Sequence, residues 1–483
     1  MSTVAKKDST YYAKALLTIL IMCLGFIVPE NSVIPRYGME VIFLFLGLLL
    51  GWAIWDLVCP SIAGMVILSF TQYGSVEDIV VKGLGDSTIL MLIFFYIFTQ
   101  WLNEVGFTRN IMNWFMARRS FIGKPWMFIT AFLFMAYVLG FLVSQFPAIL
   151  LMWPCVYQIC ESAGYEKRSK FAGFMIFSVS FLTAAGNTSK PWSGYSLIGM
   201  KTFTTATGSN LPYSAFIPYC FVVFIAMLIV WILMAKWIFK IDTAPLKKFD
   251  YTTCISCGYE FNKTQKIAAV LLCILIVCLL VPDFLPECMI KSIFSSHLGI
   301  VGTILCILIP MLTIKVDGEK IANFKHLAGK GIDWTVLILL AASIVTGEAL
   351  KDENAGVMSV VESTAKHYLS NAPELLFYAA IVVVMGILTQ FFHNVVLLTS
   401  ITPVLCSVGS ALGLSSALIS MLCLIILSIS LATPGASTRA GQLFGNGEWI
   451  KVSDCYLYGW TSLVMAIVVL LAVGIPMGNI LFP

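Results

Sequence analysis

Apolar runs of roughly 18–25 residues recur along this chain between short polar loops, and a run of that length wound as α-helix spans the hydrocarbon core of a bilayer. In lipid every backbone N–H and C=O must be satisfied within the protein, which leaves few ways to cross. Charge agrees: 11% of the residues are charged and 59% hydrophobic, with mean hydropathy +0.93, whereas soluble domains carry about 25% charged residues. A larger core cannot absorb that deficit, because a soluble surface has to be covered with something polar. The chain therefore reads as an all-α polytopic membrane protein with membrane lipid around it. Its net charge of +4 is spread over loops, which gives nucleic-acid binding no support. No A-x-A-like cleavage site follows the first apolar run, so 12–29 reads as a retained helix.

Candidate spans fall at 12–29, 38–57, 60–72, 88–105, 127–161, 171–200, 214–239, 265–281, 298–314, 334–350, 375–411, 416–442 and 455–481. Two of them, 127–161 and 375–411, are too long for one crossing, and polar or proline residues break each near its middle, so each is expected to fold back as a re-entrant hairpin. Loop charge supports this. With Lys6 and Lys7 inside and both hairpins entering and leaving on one side, Arg118, Arg119 and Lys124, then Lys167, Arg168 and Lys170, then Lys247 and Lys248, and finally Lys315 to Lys330 all fall inside. Asp352 and Glu353 fall outside. The expected location is the inner cell membrane with a cytoplasmic N-terminus.

The halves repeat each other. DSTILMLIFFYIFTQ (86–100) has the shape of DWTVLILLAASIVTG (333–347). Ser144-Gln145-Phe146 begins ten residues before Pro154, as His393-Asn394-Val395 does before Pro403. TAAGNTSK (183–190) aligns without gaps to ATPGASTR (432–439), which places Gly186 on Gly435, Ser189 on Thr438 and Lys190 on Arg439. The repeats run in opposite orientation, an arrangement found in secondary transporters with broken helices. The chain divides into an N-terminal segment with the first transmembrane helix (1–37), a first inverted repeat (38–240), a linker with a connecting helix (241–290) and a second inverted repeat (291–483).

Helix breaks at membrane depth leave backbone groups that only a cavity, an ion or a ligand can satisfy. Asn187, Thr188, Ser189, Lys190 and Pro191 in one half, and Thr433, Pro434, Gly435, Ser437, Thr438 and Arg439 in the other, supply the small polar and helix-breaking residues for such a site. Intramembrane Lys190 and Arg439 have three readings: snorkelling to an interface, pairing with a carboxylate such as Glu348, or a positive field for an anion. At the hairpin tips, Gln145 and Asn394 can donate and accept hydrogen bonds, and His393 titrates near neutrality. Most of the fourteen cysteines lie in apolar runs, where they behave as small hydrophobes. Cys254-x-x-Cys257 lacks the second ligand pair of a zinc site.

At these residues the chain resembles the divalent anion/sodium symporter family of the ion transporter superfamily. That family carries Ser-Asn-Thr at each hairpin tip ten residues before a proline, and only Ser144 and Asn394 of those positions survive here. Its Thr-Pro-Pro-Asn loops look like Ser189-Lys190-Pro191-Trp192 and Thr433-Pro434-Gly435-Ala436. The resemblance implies a homodimer with a scaffold domain and an elevator-like transport domain, carrying di- or tricarboxylates or sulfate with sodium. It implies sodium sites between tips and broken loops, near Ser144, Gly186, Asn187, Asn394 and Thr433. Lys190 and Arg439 then become candidates to replace sodium with a fixed positive charge.

The function expected is secondary active transport of small organic anions with weak or no sodium dependence. The alternative is a carrier of the same superfamily for a monocarboxylate, amino-acid-like or zwitterionic solute, proton-coupled or exchanging. An enzyme is disfavoured because no nucleophile–base pair, metal cluster or phosphate loop appears, and alternating access explains the inverted repeat. No organic cofactor is implied.

Overall fold

The computed structural model describes residues 2–29, 34–116, 118–248, 260–284, 289, 297–357, 359–360, 363, 373–434 and 436–482. Gly435, Cys254 and Cys257 lie outside these residues. In chain order the helices of the first half are α1 (Ser2–Leu24), α2 (Arg36–Ile54), α3 (Val58–Leu68), α4 (Val76–Leu84), α5 (Ser87–Glu104), α6 (Phe107–Met116), α7 (Pro125–Leu142), α8 (Gln145–Ala163), α9 (Lys170–Ser189), α10 (Gly194–Thr207) and α11 (Tyr213–Trp237). Then follow α12 (Lys263–Phe284), α13 (Gly299–Thr313), a two-residue β-hairpin pairing Lys315 with Lys320, α14 (Phe324–Gly331), α15 (Trp334–Lys351), α16 (Glu374–Leu388), α17 (Asn394–Ala411), α18 (Ser416–Leu427), α19 (Thr438–Gly445), α20 (Val452–Val469) and α21 (Ile475–Leu481). Among the described residues, six helical segments are long and apolar enough to cross a membrane, and α4 and α5 meet the same criterion only when taken together, bent by 50° at the break between them.

The repeat is visible in how the helices begin. Asp86 opens α5 by accepting from Thr88 N, and Asp333 opens α15 by accepting from Thr335 N and Val336 N. The shared Asp-x-Thr is thus a helix start, the side-chain oxygen taking up N–H groups that the first turn leaves free. Ser169 and Ser415 cap α9 and α18 in the same way, and Ser193 and Ser437 cap α10 and α19. The halves also interlock: α4 packs on α15 while α14 packs on α5.

Both overlong segments break where expected, 127–161 at Val143 and Ser144 and 375–411 at Thr389–His393. Their course follows from cross-contacts. Gly140 meets Thr183, Gly186 meets Tyr137 and Phe141, and Lys190 reaches Val143 O, so the C-terminal ends of α7 and α9 lie together. Trp153 Nε1 then donates to Ile176 O at 3.1 Å, which means that α8 runs back down α9. In the second half Thr389 Oγ1 donates to Leu427 O at 3.2 Å and Ser416 Oγ to Cys406 O at 2.7 Å, giving α16, α17 and α18 the same course. Each hairpin tip therefore ends level with the break in the helix beside it.

α9 is buried on every side from Phe171 to Ser189, and α18 from Leu418 to Leu427. A helix apolar all round belongs inside a bundle. Two glycines let α7 reach α9: a Cβ on Gly186 would collide with the Tyr137 carbonyl, and one on Gly140 with the Thr183 carbonyl. Gly186 is therefore a packing residue within α9, not the residue that interrupts it.

Candidate functional site

The two breaks occupy matching places but are built differently. α9 continues through Asn187, Thr188 and Ser189 and ends at Lys190, whose φ of −88° and ψ of 107° are extended. Pro191 explains this, since its ring excludes the helical conformation at the residue before it. Lys190–Ser193 then turn into α10. In the second half α18 already ends at Leu427, and the unwound stretch continues through Pro434 to Ser437 before α19 begins. Lys190 therefore sits at the end of the helix before its break and Arg439 in the helix after its break. The gap-free alignment predicted both to lie just past a break. Proline placement separates them, because Pro434 falls six residues before the position equivalent to Pro191, within the unwound stretch.

Lys190 is 2% exposed, and its Nζ donates to Val143 O at 2.6 Å, on the tip of the first hairpin. Tyr137 Oη donates to Ser189 Oγ at 2.9 Å, and Ser196 Oγ donates to Thr188 O at 2.7 Å across the break. Pro191, Trp192 and Ser193 are buried, with the Trp192 ring edge-on to Phe141. The first break is sealed.

The second break is stitched by side chains. Arg439, 3% exposed, donates through Nη2 to Ser428 O at 3.0 Å and Ser430 Oγ at 3.4 Å. Gln390 donates to Ile429 O at 3.0 Å and accepts from Ala432 N at 2.9 Å, while its own carbonyl accepts from Thr433 Oγ1. Ser437 Oγ donates to Ser430 O at 2.7 Å. These bonds satisfy non-helical backbone at a depth where lipid offers nothing. Pro434 and Thr438 are exposed and Thr433 half-buried, so this break is open on one side. Arg439 Nη1 and His393 Nδ1 are buried and find no partner among the described residues.

At the tips, Ser144, Gln145 and Phe146 are half-buried, whereas Asn394 and Val395 are buried, with Asn394 Oδ1 accepting from Val395 N at 2.9 Å. Glu348 is not the partner of either buried cation. Its carboxylate accepts from Tyr73 Oη at 2.9 Å, at the far end of α15. Neither Lys190 nor Arg439 has a carboxylate partner among the described residues, and each binds protein through oxygen atoms alone.

Val143 O at the first tip and Ser428 O at the second break are bonded by the Lys190 ammonium and the Arg439 guanidinium. Among the described residues no group of three or more His, Cys, Asp or Glu side chains is placed to hold a metal ion.

Sequence reasoning missed Gln390. It is a lone amide in the apolar run GILTQFF, but the repeat alignment sets it opposite Phe141, so comparing halves hides it. It also missed Lys201, which pairs with Asp86 at 2.6 Å and joins α10 to the start of α5.

A family model described as citrate transporter (CitMHS) matches residues 48–292, just over half of the chain. No curated protein sequence matches. Among solved structures the chain is similar to the YdaH transporter of Alcanivorax borkumensis, described as having an unusual topology, at 13% identity and a TM-score of 0.58 over 93% of this chain and 100% of that one. It is also similar to MtrF of Neisseria gonorrhoeae, described within a class of antimetabolite efflux pumps, at 12% identity and a TM-score of 0.57 over 92% and 96% of the two chains. At such identities the likeness is one of fold: that of membrane transporters.

Proposed function

We propose, from the premise that this chain belongs to the citrate transporter family CitMHS, that it carries citrate-like di- and tricarboxylates by alternating access of a site between the two hairpin tips and the two breaks. One observation carries the reading. Two cations, Lys190 and Arg439, are buried at pseudo-symmetric positions without a carboxylate partner among the described residues. Removing a charge from water costs several kcal/mol per ion unless it is compensated, so an uncompensated pair in a transporter core favours an anionic cargo. Arg439 Nη1 is a free donor of the kind that recognises carboxylates in a planar, directed way, and His393 Nδ1 is a second unpartnered group of the same half. The site residues proposed are Arg439, His393, Asn394, Thr433 and Thr438 in the open half, with Ser144, Gln145 and Phe146 on the opposing tip.

Lys190 and Arg439 also stand in for coupling cations. Each binds backbone carbonyl oxygens beside a break, as a sodium ion would, and supplies its charge permanently. The transport is therefore exchange or proton-coupled, with weak sodium dependence. The part that moves comprises α7–α10 and α16–α19, which pack on one another through Gly199 against Leu424 and Leu398, and it moves against the remaining helices. A thermal-shift series with citrate, malate, sulfate and aspartate, each in sodium and in choline, tests the reading, because a ligand that binds only the folded state raises its stability. Stabilisation by citrate in both media is expected. Stabilisation by aspartate alone would favour the zwitterionic alternative, and no shift with any anion would refute the proposal.

A further inference from the structure

A second group of charged residues stands apart from the breaks. Between α10 and α15 lies an open cavity of about 430 Å³, lined by Lys201, Thr204, Thr205, Glu348, Lys351 and Asp352. That volume falls within the range of small-molecule pockets. A second, narrow space of about 20 Å³ shares Lys201 and Thr205 with it and extends along Ser343 and Gly347 to Thr399 and Pro403 of α17. The cavity thus leads toward the helix that carries the second hairpin tip at its other end.

The charges in this lining are not equally engaged. Lys201 is held by Asp86 at 2.6 Å. Glu348 accepts the phenol of Tyr73 at 2.9 Å. Asp352 accepts from Asn354 N at 2.9 Å and from Asn354 Nδ2 at 3.0 Å. Lys351 makes no hydrogen bond or ion pair among the described residues, although its side chain is half-buried. Its ammonium is the one strong donor in the lining that remains available.

We propose that this cavity is a vestibule in which an anionic solute docks a carboxylate on Lys351 before it reaches the site between tips and breaks. The inference rests on the anion-carrier reading above. The two lysines and two acids that line the cavity sum to a formally neutral surface. The site is consequently a weak one, which suits a transit point: a solute has to bind well enough to enter and loosely enough to leave. Lys351 acts on approach and not in the conformational change, so its loss appears in KM and in salt dependence.

The test is exchange of labelled citrate in proteoliposomes containing the full chain, for wild type, Lys351→Gln and Lys351→Arg, at low and high ionic strength. Lys351→Gln is expected to raise KM about tenfold at low salt, at the lower bound of electrostatic steering effects, with maximal rate changed by less than about twofold. Lys351→Arg is expected to restore KM. Added salt should raise the wild-type KM and leave that of Lys351→Gln unmoved. A wild-type KM indifferent to salt, or a Lys351→Gln KM equal to wild type, overturns the vestibule while leaving the carrier reading intact. The wild-type salt arm decides even where a variant fails to fold. Absence of citrate exchange by wild type would overturn the carrier reading and, with it, the vestibule.

Discussion

Replacing Gln390 with leucine removes the amide that ties the second hairpin to its break while nearly conserving volume. In the native structure Nε2 donates to Ile429 O and Gly386 O, and Oε1 accepts from Ala432 N. Ile429 O also accepts from Leu431 N and so keeps a partner after the substitution, whereas Gly386 O, in the last turn of α16, loses the donor that Gln390 provides because Gln390 N bonds Ile387 O instead. Ala432 N, in a residue buried completely, loses the bond that Gln390 provides. An orphaned buried donor costs about 1–3 kcal/mol, and the lost bonds to Ile429 O and Gly386 O add about 1 kcal/mol each, which gives roughly 3–5 kcal/mol in all. Gln390→Asn, whose shorter chain loses these contacts, should behave like Gln390→Leu. The assay is the thermal midpoint of the detergent-purified protein followed by size-exclusion, with citrate exchange measured in parallel. Gln390→Leu should lower the midpoint and slow exchange. A midpoint equal to wild type would refute the claim that side-chain bonds hold the unwound stretch.

Gly186→Ala should prevent a folded, monodisperse product, because its Cβ would strike the Tyr137 carbonyl, whereas Gly329→Ala, with open space around it, should leave yield unchanged on an expression screen. The Lys201–Asp86 pair has side chains only 19% and 12% exposed. Asp86→Asn, which leaves the lysine without its carboxylate, should therefore cost about 1–3 kcal/mol, below the range for fully buried pairs because water still reaches this one, while adding Lys201→Met should recover most of that loss in a double-mutant cycle of thermal midpoints. Lys167→Ala should leave the midpoint unchanged despite the bond to Glu448, because both side chains are more than half exposed and such pairs contribute little.

Much of the architecture was legible because lipid leaves the backbone so few options. Overlong apolar runs and loop charges pointed to the hairpins, and ten-residue spacing to Pro154 and Pro403 located their tips within a few residues. What the sequence hid has local causes. Gly186 looks like a helix breaker beside Asn187 and Lys190, yet α9 passes through it, because the missing Cβ serves contact with α7. Lys190 and Arg439 align by number, but Pro191 and Pro434 fall at different points relative to them and set the cations on opposite sides of their breaks. Glu348 was the nearest intramembrane acid to propose as a partner, and only the packing of α3 against α15 brings Tyr73 to it instead. Gln390 and Lys201 carry no signature beyond a lone polar residue in an apolar run, and their partners lie 42 and 115 residues away.

The central claim is that two fixed cations occupy the oxygens that sodium would otherwise take, in a carrier of citrate-like anions. The measurement that meets it most directly is exchange of labelled citrate by reconstituted protein, with sodium on both sides of the membrane replaced by choline. Rates equal in the two media are predicted, with loss of exchange in Arg439→Gln. Exchange that disappears in choline would contradict the claim.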